Sequence, residues 1–104
     1  MNLSVKPGSD TGTTLILVWT PPADVGGYVL YANGQPVSVT TRNNKDGSPR
    51  TEAKFHKTSP GPPFQVAAVC RNSAGTFMLD VGTYPSGPKV ITPSTSTYPS
   101  EVMP

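Results

Sequence analysis

The chain has one cysteine and one histidine, and those two scarcities close off more chemistry than any other feature. A lone cysteine forms no intrachain disulfide, so the fold must hold without the bridges that brace many small secreted domains. One imidazole and one thiol fall short of the roughly four nitrogen or sulfur ligands of a structural zinc site. Cys70 has only His56 to serve it as a base, and nucleophilic catalysis needs thiolate, base and an orienting third group held together. Alternation along the chain puts Cys70 on an inward register, where free cysteine behaves as an inert small hydrophobe, and puts His56 on an outward one beside Lys54.

Charge is scarce as well. Charged residues make up 13% of the chain, against a usual ~25%. The formal net charge of +2 is too small to argue for nucleic acid. The six acids, Asp10, Asp24, Asp46, Glu52, Asp80 and Glu101, are scattered, and no spacing holds two carboxylates together for acid–base work. No loop offers the dense oxygen ligands of a calcium site, and no glycine-rich cradle opens a helix for phosphate. No apolar run approaches the ~18 residues of a membrane span. The opening MNLSVKPGSD lacks the basic, apolar and small-residue order of a secretion leader. No cofactor, no metal, no membrane and no enzymatic activity are expected.

What the chain does have is glycine (10) and proline (13) among 104 residues, with no apolar stripe at helical spacing. That balance favours short strands joined by tight turns, in one domain large enough for a core. Leu3 and Val5 alternate with polar neighbours ahead of Pro7-Gly8, and Thr13 to Thr20 (TTLILVWT) is rich in β-branched and aromatic residues. If Trp19 faces the core, Leu15 and Leu17 face it too. Tyr28 to Ala32 (YVLYA) follows Gly26-Gly27 and ends at Asn33-Gly34, the strongest short hairpin signal, which returns the chain as Pro36 to Thr41. Arg42 to Arg50 reads as a loop with an Asp46-Gly47 turn. Thr51 to Lys57 resumes alternation with Ala53 and Phe55 inward, Phe64 to Gly75 continues it, and Thr76 to Gly82 is a last strand. Between Arg42 and Lys57 five cations face two acids, a solvated loop or else an electrostatic footprint for an acidic protein surface or a phosphate backbone.

Seven such strands predict an all-β fold, a seven-stranded antiparallel β-sandwich. The ordered set TTLILVWTPP, GYVLYANGQPV and SPGPPFQVAAVCRNSAG resembles the fibronectin type III, immunoglobulin-like pattern over roughly residues 2 to 84. The matching positions are Trp19, Pro21, Pro22, Tyr28, Pro60, Gly61, Phe64, Val66, Ala68, Cys70, Asn72 and Gly75. Two positions depart from it: Phe64 stands where the family has a tyrosine that braces the corner, and Thr58 where it has a leucine. Residues 1–84 therefore form the expected domain. Residues 85–104 form an extended Pro/Ser/Thr-rich C-terminal arm, because proline removes backbone donors and favours extended chain. Tyr84-Pro85-Ser86 recurs in it as Tyr98-Pro99-Ser100.

The informative face is the outward one. Val29, Tyr31, Ala67 and Val69 are apolar where a solvated sheet carries charge, with either Met78 and Asp80 or Phe77, Leu79 and Val81 beside them. An apolar patch of that kind is covered by a partner or by the chain's own tail. Val29, Tyr31, Ala67, Val69, Tyr84, Val90, Ile91 and Tyr98 are thus the candidate partner-binding residues, and Val69→Lys should impair assembly more than folding. The resemblance implies a non-enzymatic structural or binding protein. The first setting is a bacteriophage virion, as a capsid decoration or tail accessory docking on capsid or tail subunits or on its own copies, with weak polysaccharide contact. The alternative is a spacer or binding module of a secreted bacterial polysaccharide hydrolase.

Overall fold

The computed structural model of the chain describes residues 1–59, 61–71 and 77–85. Seven strands run in order: β1 (Ser4–Val5), β2 (Thr14–Val18), β3 (Val25–Ala32), β4 (Gln35–Thr41), β5 (Glu52–His56), β6 (Phe64–Arg71) and β7 (Phe77–Tyr84). They form two antiparallel sheets, one of three strands in the order β1-β2-β5 and one of four in the order β4-β3-β6-β7. No helix among the described residues is long and apolar enough to cross a membrane. The arrangement is compatible with the expected sandwich.

The inward residues of both sheets meet in one core. Leu15, Leu17, Trp19 and Phe55 come from the three-stranded side; Tyr28, Leu30, Ala32, Phe64, Val66, Ala68 and Cys70 come from the other. Two aromatic pairs join the layers, Trp19 on Tyr28 with ring centroids 5.1 Å apart and Phe55 on Phe64 at 5.0 Å. Tilted pairs at this spacing each add about 0.5–1.5 kcal/mol beyond the area they bury. Phe64 is buried among them.

Boundaries differ from the sequence reading in instructive places. β3 begins at Val25, three residues early, and its register with β6 shifts between Val25 and Gly27, making Gly26 the extra residue of a bulge. β7 runs two residues past Gly82, to Tyr84. Asn33 and Gly34 take φ values of 51° and 78°, the positive pair that the β3–β4 hairpin requires. The 42–50 loop is more ordered than its lack of periodicity implied. Asn43 bridges Pro49, Asn44 N–H donates to the Ser48 carbonyl (2.8 Å) and Arg50 N–H to the Arg42 carbonyl (2.9 Å). Asp46 accepts from both the Ser48 amide and its hydroxyl, and those bonds lower its carboxyl pKa.

Candidate functional site

Register decides what the outer face of the four-stranded sheet carries. Val39 pairs with Val29, Val29 with Ala67, and Ala67 with Val81, so one apolar row crosses all four strands. Directly opposed positions share a face, which puts Val81 rather than Asp80 on this side. The next row is Pro36, Tyr31, Gln65 and Thr83.

These residues are not equally accessible. Ala67 and Val69 are 0% and 1% exposed, and Gln65 beside them is also sealed. Val29 and Tyr31 are half-buried, while Val39 at the edge is 43% exposed. Partial burial raises the Tyr31 phenol pKa. Gln65 donates through Nε2 to Thr83 Oγ1 (3.1 Å), and its Oε1 has no partner among the described residues. The structure therefore brings Val29, Tyr31, Ala67 and Val69 together, but Ala67 and Val69 are covered within the chain. This corrects the expectation for Val69→Lys. A lysine at a fully buried position disrupts folding before it can report on assembly.

Tyr84 lies elsewhere. It pairs with Phe64, whose register is inward, and packs against the core, where with Pro85 it borders a small cavity of about 160 Å³. Val90, Ile91 and Tyr98 fall outside the described residues, as do Asn72 to Gly75. Cys70 is buried at 8% exposure on β6, with burial the main cause of its raised thiol pKa, while His56 is exposed on β5 in the other sheet.

A second feature went unnoticed in the sequence. Between β4 and β5, the facing edge strands of the two sheets, lies a cleft of about 440 Å³. Leu30, Ala32 and Phe55 from the core line it, each at most 5% exposed. It exists because the inward register of β4 carries Ser38, opposite Leu30, and Thr40, opposite Tyr28, instead of large apolar residues. Ala53 is equally small across the gap on β5. Thr40 Oγ1 is buried without a hydrogen-bond partner among the described residues. A bulge at Val37, between the Leu30–Ser38 and Tyr31–Pro36 pairs, leaves that valine 47% exposed along the same edge. The signal was present in PVSVTT, which alternates but puts no large apolar residue beside Ser38 and Thr40 on that side.

The basic stretch divides in space. Lys57 turns to Asp10 and donates to the Thr11 carbonyl (2.7 Å), while Arg50 and Lys54 border the cleft with His56. Arg50 Nε donates to the Thr41 carbonyl at 3.2 Å, which steadies the guanidinium without using its terminal nitrogens. No group of three or more potential metal ligands occurs among the described residues. In comparisons with family models, curated proteins and solved structures, no significant match to the chain was found.

Proposed function

We propose that this chain is a non-enzymatic binding module that docks on a repeating protein surface through the outer face of its four-stranded sheet. The observation that carries this reading is the apolar row Val39–Val29–Ala67–Val81, open at its β4 end and flanked by half-buried Tyr31. Apolar rows on an outward sheet face mark contact surfaces. The finer setting is a bacteriophage particle, with the module on a capsid or tail lattice and residues 85–104 reaching along adjacent subunits. Resemblance to fibronectin type III domains supports this setting, since free-standing domains of that kind decorate phage heads and tails. The three-plus-four strand arrangement is compatible with the resemblance. Many copies on a lattice would turn weak single contacts into stable attachment.

The test uses the accessible end of the row. Val39→Lys combined with Val29→Lys should cut occupancy on particles about tenfold, which is ~1.4 kcal/mol, while the melting temperature falls by only a few degrees. Unchanged occupancy would contradict the sheet-face reading. Removing residues 86–104 should weaken attachment separately, and an undiminished truncation would retire the arm while leaving the face.

A further inference from the structure

We propose that the β4–β5 cleft binds an extended acidic peptide segment of a partner protein, independently of the outer sheet face. Three observations converge on that class of ligand. The first is charge. Arg50 borders the cleft, Lys54 stands at its rim on the outward register of β5, and none of its described lining residues is acidic. Three acids elsewhere in the chain are already engaged: Glu52 pairs with Lys6, Asp10 with Lys57, and Asp46 with Ser48. Arg50 is held by its Nε, so its terminal nitrogens are presented in a fixed fork, the geometry that suits a carboxylate.

The second is backbone. β4 and β5 are both edge strands, so each carries a row of backbone groups not used in its own sheet. An extended segment laid along either edge gains main-chain hydrogen bonds and projects alternate side chains toward the sheets, the mode called β-augmentation. Small rigid ligands do not exploit such edges.

The third is the interior of the cleft. Its volume of about 440 Å³ lies within the range of ligand sites, with Leu30 and Phe55 supplying an apolar floor. Thr40 Oγ1, buried and without a partner among the described residues, offers a hydrogen bond to an incoming segment. A segment alternating acidic and apolar residues satisfies all three features at once: carboxylates at the rim, apolar side chains on the floor and backbone along the edge.

The experiment measures fluorescence anisotropy of a labelled hexapeptide alternating glutamate and valine, with a lysine–valine hexapeptide as control, against the full chain. The acidic peptide should bind at least about tenfold more tightly than the basic one and weaken as salt rises. The double variant Arg50→Gln, Lys54→Gln should lose about tenfold in affinity while the chain stays folded, its melting temperature falling by at most a few degrees for the lost Arg50 Nε bond to the Thr41 carbonyl. Ser38→Leu, which fills the cleft, should abolish binding without lowering the melting temperature. Equal binding of the two peptides, no saturation by about 1 mM, or undiminished binding by either variant would overturn the proposal. So would concentration-dependent self-association that perturbs the β4 amides without peptide, because the occupant would then be a second copy of the chain.

Discussion

The two lateral flanks between the sheets are treated in opposite ways. On the β7 flank the N-terminal segment lies against the sheet so closely that only glycine fits at position 82. A Cβ there would come within 2.7 Å of Leu3 Cγ and of the Met1 carbonyl oxygen. Met1 and Leu3 both pack against the core, so that flank is filled by chain. On the β4–β5 flank nothing comparable occupies the gap among the described residues, and the inward positions of β4 are hydroxyls. One flank gives up side-chain volume so that backbone can approach; the other gives up volume and leaves a space. The difference separates a structural economy from a candidate binding site, since a small residue against packed chain completes a core and a small residue against a void does not.

The largest break in this comparison is expected on the filled flank. Gly82→Val must push Leu3 or the Met1 backbone aside and should cost about 2–3 kcal/mol in urea denaturation, as overpacking of a close contact does. A neutral result would mean that the N-terminal segment is not packed there. On the open flank the sign reverses. Thr40→Val keeps the shape and removes a buried hydroxyl that has no partner among the described residues, so it should stabilise the protein by about 1 kcal/mol in the same measurement. Destabilisation would show that the hydroxyl has a partner in solution.

The smallest effect belongs to the loop that follows β4. The Asp46 carboxyl has a lowered pKa because the Ser48 hydroxyl and amide donate to its ionised form. A depressed carboxyl contributes stability that is present above its unfolded pKa and is lost as pH falls through the lower folded one. Acidification below the ordinary aspartate range should therefore shift the Ser48 amide resonance and loosen the loop, leaving both flanks intact. Asp46→Ala should remove that acid-induced shift; a Ser48 amide that still titrates in this variant would contradict the assignment.

How much of this was legible in the residues divides along the same line. The inward sets Leu15, Leu17 and Trp19 and Tyr28, Leu30 and Ala32 followed from alternation, because large apolar residues at period two have one place to go. The Asn33-Gly34 turn followed from its backbone requirement. Three things did not follow. Gly26-Gly27 read as lying just ahead of the strand but falls within β3, where the bulge is set by pairing with β6, a distant partner. The burial of Gln65, Ala67 and Val69 depends on what lies over the outer face, which alternation does not encode. The cleft depends on two strands far apart in sequence both presenting small residues to the same gap, and only the assembled register of Ser38 and Thr40 reveals that. The outer-face residues were found as a group; which of them remain accessible was not.

The most direct test of the asymmetry maps the peptide's position rather than its affinity. In amide and methyl NMR spectra of the full chain titrated with the glutamate–valine hexapeptide, Ser38, Thr40, Arg50, Lys54 and Phe55 should shift together and saturate together. The amides of Gln35–Thr41 should gain protection from hydrogen exchange, while Leu3 and Gly82 stay where they are. Shifts centred on Leu3 and Gly82, or spread evenly over both flanks, would contradict the account that one flank is filled and the other is built to bind.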